Sequence, residues 1–426
     1  APVAYELSQA GFNVVVLEKG KYYKEKHFSK DELAISRREM FKPRLHDEFH
    51  IINEKEEDGA ITRYDGRKYN WSFWNGSMVG GSSNLMSGFF HRLKPNDFKL
   101  KSTYGEIQGA NIVDWPISYE ELEPFYTQVE SLMGVSGHAK PHTFLEPRST
   151  ADFPYKALME NGVTQWFDKA CEVLAFESIP TPRAILPQNA LERNSCSYSN
   201  FCGSYPCATG AKSSARAALL QKCKAKIITE AFVYKLSSNK TEVTTAWYYD
   251  NKGVSNSIEA KIFVVAAQAI ETSRLLLNSK NQYFPNGLAN NNHQVGKNLI
   301  FSAGGVGEGR FVFEDLTQEQ RQILMQQGVF FNRSLQQWYE YENNGKKQKG
   351  GTIDFLFEHA NVIAKAMREV YDEEGNIMWG KALEDKIKRS LTTSRVLTFE
   401  VFNDWLPTDD CYVSVDTYEK DKYGVN

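Results

Sequence analysis

The sequence lacks the features of several classes of protein. Its longest clean apolar run covers only residues 262–267, far short of the roughly 20 residues that a membrane-spanning helix needs. It has no excess of positive charge, because 50 Lys and Arg residues stand against 53 Asp and Glu residues, for a net charge of −3. Internal repeats and low-complexity tracts are also missing. We therefore expect no transmembrane segment in this chain, no nucleic-acid partner and no repeat architecture.

The two ends of the chain also lack signals. The sequence begins at Ala1 without a Met and ends at Asn426 without a terminal motif. We expect a piece of a longer protein that lacks both ends. The 426 residues are too many for one ordinary core, which predicts two or three domains. A content of 41% hydrophobic and 24% charged residues is typical of globular proteins.

Residues 1–20 predict a helix, a turn and a buried strand. Pro2 suits a first helical turn, Gly11 suits a helix end, and the apolar run at residues 14–17 is typical of a parallel strand covered on both faces. This is the order of the second half of a dinucleotide-binding βαβ unit, whose second strand ends in an acidic residue that binds the adenosine ribose. Glu18 has that position. An ordinary acidic residue at a strand end would give the same pattern.

A segment rich in small residues follows at residues 74–84, with three glycines and three serines among apolar side chains. Glycines permit close backbone approach, and loop N–H and hydroxyl groups can bind phosphate or carbonyl oxygens. A tight structural turn would have the same composition. Further along, Ser118 and Glu121 form a capping box for a helix that Gly134 can end.

The second half of the chain predicts a β-meander that leads into a strand–helix unit. Beyond residue 300 the βαβ rhythm is lost, and strands at 351–357 and 395–401 alternate with helices rich in Glu, Gln and Lys. We therefore predict a second, α+β domain. The segments of the meander and its strand–helix unit are strands at 226–236, 243–249 and 255–260, a turn at 250–253, a buried strand at 262–267 and a helix at 270–278.

Three of the six cysteines, Cys196, Cys202 and Cys207, share one loop with the spacing C-x5-C-x4-C. Three thiolates in a Gly-, Pro- and Ser-rich loop can hold an iron–sulfur cluster, although a four-iron cluster normally has four Cys ligands. Zinc would also need a fourth ligand, and no His is near in sequence. The same spacing is compatible with a disulfide plus one free thiol, or with three reduced structural cysteines.

Several of these segments, in this order, resemble the glucose–methanol–choline (GMC) oxidoreductase family of FAD enzymes, and within it the bacterial branch of gluconate 2-dehydrogenase flavoprotein subunits. The match spans most of the chain, so it is more specific than any single motif. It rests on residues 2–7, 16–20, 79–83, 114–119, 134–137, 196–212, 269–279, 287–290 and 295–298.

The resemblance implies a Rossmann-like, doubly wound FAD-binding sheet with a β-meander, plus an α+β substrate-binding domain. It also implies cofactor contacts residue by residue. Glu18 would bind the ribose, Val233 would contact the adenine through its backbone, and Ala267 would lie near the cofactor. Four loop residues would line the pyrophosphate and flavin, with two more near the isoalloxazine ring; in order these are Gly80, Gly81, Ser82, Ser83, Asn84 and Met86.

The chain departs from the family at three positions. Met86 stands where Asn or His is frequent, and Gln268 stands where Gly is usual in the strand–helix turn. Ser199 would replace the second of the four loop cysteines that members of the branch often carry.

The activity that the resemblance implies is oxidation of the hydroxyl group of a sugar acid, polyol or alcohol by hydride transfer to flavin N5. Electrons would pass to a cytochrome or quinone-type acceptor. The family's catalytic His pair is expected beyond Asn426, so His91, His293 and His359 are not assigned as the base. The second candidate function is a non-catalytic flavin or iron–sulfur electron-transfer module, for which the three clustered cysteines are the reason.

The resemblance also predicts the division of the chain and its surroundings. A discontinuous FAD-binding domain would comprise residues 1–135 and 222–300, with a cysteine-containing insertion at 136–221 and an incomplete substrate-binding domain at 301–426. A cytochrome c and a small subunit are the expected protein partners. We expect a periplasmic location, membrane-associated through those partners, with the cytoplasm as the second candidate.

Overall fold

The computed structural model describes residues 1–426 except 38–39, 45–46, 70–75, 327–329 and 359–360. His359 and the first two residues of the Gly- and Ser-rich segment, Trp74 and Asn75, lie outside the described residues. No helix in the described part is both long enough and apolar enough to cross a membrane.

The helices of the described part are mostly short. They are α1 (Pro2–Gln9), α2 (Gly66–Tyr69), α3 (Leu100–Tyr104), α4 (Tyr119–Met133), α5 (Val163–Val173), α6 (Ala269–Asn278), α7 (Gln318–Leu324), α8 (Val362–Arg368) and α9 (Gly380–Thr392).

The strands form one large sheet, one meander and several two-stranded pairs. They are β1 (Val15–Leu17), β2 (Ile51–Lys55), β3 (Ile61–Asp65), β4 (Ser136–Gly137), β5 (Tyr155–Lys156), β6 (Ser178–Pro180), β7 (Lys226–Ile228), β8 (Phe232–Ser238), β9 (Val243–Tyr249), β10 (Ser255–Glu259), β11 (Ser302–Ala303), β12 (Val306–Val312), β13 (Arg333–Leu335), β14 (Glu340–Asn343), β15 (Lys346–Lys349), β16 (Thr352–Phe357) and β17 (Ser394–Asp404).

The predicted helix, turn and strand at the start of the chain are confirmed. Pro2 stands in the first turn of α1, where its missing N–H breaks no helical bond. Gly11 takes a φ of +86°, a left-handed conformation that suits glycine where the chain leaves the helix. Strand β1 then pairs in parallel with β7, with Val15 opposite Lys226. The carboxyl end of β1 leads directly into Glu18.

The β-meander is also confirmed, with one correction. β8, β9 and β10 are consecutive antiparallel neighbours. The single strand predicted at 226–236 is wrong, because the chain breaks between β7 and β8, where Glu230 has a φ of +55°. The N–H groups of Glu230 and Ala231 bond there to the carbonyl oxygens of Gly20 and Glu18, at 3.1 and 2.9 Å. The break therefore ties the meander to the end of β1.

The strand predicted at residues 262–267 is not formed. Phe263 and Val265 pack against the core between α6 and the meander, whereas Ile262 and Val264 are 79% and 57% exposed. The run is apolar on both sides, as in a buried strand, but only one side is covered. Among the described residues no neighbouring strand pairs with this segment.

The large sheet has the order β11, β17, β16, β13, β6, with β12 also paired to the long strand β17. Its pairings are antiparallel. One face packs on α5 and α7 through an apolar cluster that includes Phe331, Phe355 and Phe357. The strands predicted at 351–357 and 395–401 are confirmed as β16 and β17.

Helix α4 begins and ends where its sequence predicts. Ser118 Oγ accepts from the N–H of Glu121 at 3.2 Å, and the Glu121 carboxylate accepts from the N–H of Ser118 at 2.7 Å. Gly134 ends the helix in the left-handed conformation, with φ +72°. These bonds satisfy N–H groups that a helix end leaves without partners.

Candidate functional site

The carboxyl end of β1 is a meeting point of three sequence-distant segments. Glu18 and Gly20 lie at its centre, and Glu18 Oε1 accepts from the N–H of Gly20 at 2.8 Å. On one side, the N–H of Val79 donates to the carbonyl oxygen of Lys21 at 3.0 Å, which brings in the Gly- and Ser-rich loop. On the other side, the bonds of Glu230 and Ala231 bring in the start of β8. Ligands of α/β proteins bind at such strand ends.

Gly20 permits this close approach. A Cβ atom added to it would lie 2.2 Å from the carbonyl carbon of Ser77 and 2.3 Å from the nitrogen of Met78. Both are backbone atoms, so they cannot move aside as a flexible side chain could. Glycine at this position is therefore required for the Gly- and Ser-rich loop to lie against the end of β1.

Glu18 is an acid in unusual electrostatic surroundings. Burial raises the pKa of its carboxyl, against the opposing influence of the Gly20 N–H and the Lys19 charge. Lys19 directs its ammonium to Glu48 instead, at 2.5 Å. Glu18 is therefore a half-buried hydrogen-bond acceptor, and a hydroxyl or other donor placed against it would offset the cost of its burial.

The loop turns sharply at Gly80 and Gly81, which have φ values of +90° and +56°. A Cβ on Gly80 would lie 2.8 Å from both Cβ and N of Arg216, so this residue is packed against the protein. A Cβ on Gly81 would have no atom within 4 Å. The two glycines therefore face opposite surroundings, and Gly81 presents bare backbone to an open side of the loop.

The side chains after the glycines hold the loop in shape. Ser83 Oγ donates to the carbonyl oxygen of Gly80 at 2.6 Å and accepts from the N–H of Ala215 at 2.9 Å. Asn84 is buried, and its Nδ2 donates to the carbonyl oxygens of Val79 and Gly81 at 3.1 and 2.9 Å. Their predicted role as cofactor contacts stays a prediction, but their bonds to the protein show a structural role.

Ser82 is the serine of this loop that lies at the surface. It is exposed, and its Oγ accepts from the N–H of Gly76 at 2.8 Å. This bond closes the loop on itself. Ser82 thereby stands at the same open side of the turn as Gly81.

Two further predicted cofactor residues, Val233 and Ala267, lie in the meander and just before α6. Val233 lies in β8, two residues after the Ala231 bond to β1. Ala267 is exposed, and its N–H donates to Thr272 Oγ1 in α6 at 3.0 Å. Gln268 caps α6 with a φ of +82°, and its Oε1 accepts from the N–H of Ile270 at 2.8 Å. A glycine-like conformation is thus kept where the family usually has Gly.

The three clustered cysteines line one cavity of about 30 Å³ together with Ser199 and Lys212. All six cysteines of the chain are free thiols, so the disulfide considered above is not formed. No three His, Cys, Asp or Glu side chains among the described residues are grouped as ligands of one metal ion. A single zinc ion needs its ligands around one point.

The surroundings of the cavity favour the thiolate form at Cys207 and disfavour it at Cys196 and Cys202. The N–H of Tyr198 donates to Cys196 Sγ at 3.3 Å, and the N–H of Lys212 donates to Cys207 Sγ at 3.5 Å. Burial raises the pKa of Cys196 to about 12 and that of Cys202 in the same direction. For Cys207 burial acts the same way, but bonds from Thr209 and the charge of Lys212 outweigh it, so its pKa is lowered.

Lys212 is a residue that the motif analysis missed. Its ammonium is buried and donates to the carbonyl oxygens of Met86, Cys202 and Tyr205 at 2.6, 2.8 and 2.8 Å. It therefore joins the cysteine loop to the segment that follows Asn84. A lone Lys in the otherwise uncharged stretch 203–215 is the signal that sequence analysis could have used.

A dinucleotide-type strand end, a glycine cradle and a β-meander define a flavin-binding class of fold, and the comparisons agree. Residues 55–302, more than half of the chain, match the family described as GMC oxidoreductase. The chain belongs to the GMC oxidoreductase family. The resemblance found in the sequence is confirmed, and membership supports FAD as the cofactor.

Three relatives show the range of the similarity. The fructose dehydrogenase large subunit of Gluconobacter japonicus is 34% identical over 230 residues, which cover 53% of this chain and 41% of that protein. The 2-methyl-1,2-propanediol dehydrogenase of Mycolicibacterium austroafricanum is 29% identical, covering 70% and 52%. The gluconate 2-dehydrogenase flavoprotein of Pantoea cypripedii is 27% identical, covering 65% and 50%. The chain spans about half the length of these relatives.

Solved structures show the fold. A formate oxidase of Aspergillus oryzae, from a study of FAD modification, aligns with a TM-score of 0.53 and 12% identity over 94% of this chain and 69% of that chain. Pyridoxine 4-oxidase from Mesorbium loti aligns with a TM-score of 0.50 and 14% identity over 93% and 68%. The predicted fold class, a Rossmann-like FAD-binding unit with a further α+β part, is confirmed. The domain boundaries stay predictions.

Proposed function

We propose that this chain belongs to an FAD-dependent dehydrogenase that oxidises the hydroxyl group of a sugar acid, polyol or alcohol. The observation that carries the proposal is the convergence of Glu18, Gly81 and the start of β8 at one strand end. The named relatives, which are dehydrogenases of fructose, gluconate and a diol, support the substrate class.

Each part of the site has a role that its surroundings suit. Glu18, a half-buried acceptor, would bind the ribose hydroxyls, and Val233 would meet the adenine at the adjoining strand. The exposed backbone of Gly81, with Ser82 beside it, would accept the pyrophosphate, because loop N–H groups bind phosphate oxygens. Bound FAD would supply the hydride acceptor.

The test is a visible spectrum of the protein made from the intact gene, recorded anaerobically before and after adding gluconate, fructose or a diol. Flavin bands that bleach with one of these compounds would support the proposal and narrow the substrate. A Glu18→Ala variant should lose flavin on gel filtration, whereas Glu192→Ala, an exposed Glu in the cysteine-containing insertion, should retain it. An intact protein without flavin would contradict the proposal.

We further propose that Cys196, Cys202 and Cys207 hold an iron–sulfur cluster through which electrons leave one at a time to a cytochrome or quinone acceptor. Backbone donors to two of the sulfurs and a buried cation beside them are the surroundings that stabilise anionic clusters. The location in the periplasm and the cytochrome c and small-subunit partners belong to the same proposal.

The cluster has its own test. Anaerobically purified protein should contain iron and acid-labile sulfide, and Cys207→Ser should lose both while still binding FAD when FAD is added in excess. Cys171→Ser is the matched control, because Cys171 is also a buried free thiol but lies in α5 outside the cavity. Equal iron in both variants, or no iron in the wild type, would instead favour three reduced structural cysteines.

A further inference from the structure

The two faces of the large sheet differ in polarity, and the apolar packing of one face does not explain why the other is polar. Side chains alternate between the faces along each strand. The face of Phe355 and Phe357 packs on α5 and α7, as described above. The opposite face carries Ser334, Asp354 and Glu400, which are cross-strand partners in β13, β16 and β17. This second face is polar, and much of it is nevertheless buried.

The buried polar groups of this second face are incompletely paired. Ser334 and Asp354 have no exposed surface. Asn332 and Gln336, at the two ends of β13, are buried as well, and Asn332 Nδ2 and Gln336 Oε1 have no hydrogen-bond partner among the described residues. Buried polar atoms are almost always paired, since an unpaired one costs free energy. These four residues form a buried polar layer beneath the part of this face that His91 and Glu400 reach.

His91 lies at the open edge of the polar face. Its Nε2 is 3.1 Å from each carboxylate oxygen of Asp354, and the hydroxyl of Ser334 also donates to Asp354. The ring nitrogen that does not face Asp354 is Nδ1, which accepts or donates a hydrogen bond according to the tautomer of the ring. Nδ1 has no partner in the part of the chain that the structure describes, and the side chain is 22% exposed. The arrangement leaves one ring nitrogen of His91 for a ligand to contact.

Glu400 and Arg183 complete the surroundings of Asp354. Burial raises the pKa of Glu400, and the Asp354 charge adds to this while Arg183 opposes it. Arg183 is fully buried, donates to Asn332 Oδ1 at 2.8 Å and has its guanidinium over the ring of Phe89. Glu400 is only half-buried, so its carboxyl can meet a ligand. A carboxyl group accepts a hydrogen bond from a hydroxyl in either protonation state.

The polar face adjoins the loop proposed to hold FAD. The chain runs from Asn84 to His91 in seven residues. On the way the carbonyl oxygen of Gly88 accepts from the N–H of Ala184 at 2.8 Å, and the ring of Phe89 contacts that of Phe402 in β17. One continuous segment therefore leads from the glycine cradle to the edge of the polar face.

We propose that His91, held by Asp354, and Glu400, on the neighbouring strand, form a subsite that binds a second hydroxyl group of a polyhydroxylated substrate. This rests on the proposed function and narrows it: the site selects polyols, sugars or sugar acids against simple alcohols. A site built to hydrogen-bond a hydroxyl rejects an analogue that lacks it, because its own polar groups would then stay unpaired. His91 is here a substrate-binding residue and not the base.

The test compares His91→Gln with His138→Gln in the full-length flavoprotein. His138 also pairs with a carboxylate, Asp152, at 2.9 Å, but it is largely exposed and lies in another part of the chain. In His91→Gln we expect KM for gluconate or sorbitol to rise about tenfold or more, with kcat within about threefold and with turnover of propan-2-ol unchanged. His138→Gln should match the wild type.

Calorimetric titration of gluconate or sorbitol into the flavin-loaded protein gives a second readout that does not depend on turnover. Binding should weaken in His91→Gln by the same factor as KM rises, and it should weaken equally in the isosteric Glu400→Gln. If His91→Gln fails to fold, Glu400→Gln alone tests the subsite. Unchanged KM and affinity in a folded variant, or equal losses with propan-2-ol and polyol, would overturn the subsite. If no hydroxyl compound bleaches the flavin of the wild type, the proposed function is wrong. The subsite would still be supported if the wild type binds the polyol and only the site variants lose that binding.

Discussion

Gly80 and Gly81 allow a prediction in which two adjacent, chemically identical changes have different effects. Both residues have positive φ, so an alanine at either position is strained by roughly 1–2 kcal/mol. Only the Cβ of Gly80→Ala would meet atoms, those of Arg216 at 2.8 Å. Forced packing of this kind costs about 1–3 kcal/mol more. Gly80→Ala should therefore lower the free energy of unfolding by about 1–3 kcal/mol more than Gly81→Ala does.

For FAD affinity we expect the direct effect at Gly81 and only an indirect effect at Gly80. A methyl group on Gly81 would occupy the open side of the loop, where we place the pyrophosphate. We expect Gly81→Ala to weaken FAD binding at least about tenfold, which is about 1.4 kcal/mol, while the flavin-free protein keeps most of its stability. Any loss of FAD by Gly80→Ala should follow from the destabilised loop.

The assays are urea denaturation of the flavin-free protein followed by circular dichroism, and FAD titration followed by flavin fluorescence. Gly59→Ala is the control, because Gly59 has a φ of +84° and no atom within 4 Å of an added Cβ, but it lies in the turn between β2 and β3. It reports the cost of the backbone conformation alone. Wild-type FAD affinity in Gly81→Ala would refute the cradle, and equal stability losses in Gly80→Ala and Gly59→Ala would refute the steric argument.

Three other changes test single interactions. Lys212→Met leaves three carbonyl oxygens without their buried donor. It should lower the free energy of unfolding by about 3 kcal/mol or more, because each buried acceptor left unsatisfied costs about 1–3 kcal/mol. Urea denaturation against the exposed Lys240→Met measures the loss, and a loss near zero would contradict the role of the ammonium. Gln268→Gly relieves the strain of a φ of +82° but loses a helix cap, two opposing effects of about 1 kcal/mol each, so the free energy of unfolding should be nearly unchanged. Gln268→Ala keeps the strain and loses the cap, so it should lower the free energy of unfolding by about 1 kcal/mol. Equal losses in the two variants would show that Gln268 is not strained. Because folding raises the pKa of Glu18, the carboxyl stabilises the folded state below its ordinary pKa, and this stabilisation is lost as the pH rises through the raised value. Glu18→Gln should therefore stabilise the flavin-free protein at pH 7 but not near pH 4. The reverse order would refute the burial argument.

Local signals in the sequence predicted the local structure well. Strand β9 has the predicted bounds, and α4 begins at its capping box and ends at Gly134 because those residues satisfy the helix ends themselves. The end of β1 at Glu18 was predictable for the same reason, since a run of apolar residues followed by an acid is a pattern within a few residues. Fold class followed from several such patterns in a fixed order.

The failures have one physical cause, which is that the outcome depends on distant residues. The run at 262–267 has the composition of a strand, but a strand needs a neighbour, and the sequence of the run contains no information about one. The break at Glu230 is fixed by the carbonyl oxygens of Gly20 and Glu18, which lie far away near the start of the chain. The partnership of His91 with Asp354 spans 263 positions, so His91 alone gave no sign of it.

Hydrogen bonds join the two proposed cofactor sites, so binding at one site should affect binding at the other. Lys212 bonds to Met86 on the flavin side and to Cys202 on the cysteine side, and the N–H of Ser204 donates to the carbonyl oxygen of Leu85 at 2.9 Å. A group bound at either site stabilises the same bonds, because it favours the folded arrangement that contains them. Coupling of this kind is reciprocal. Loss of iron from the cysteine loop should therefore weaken FAD binding by the same factor by which loss of FAD weakens retention of iron.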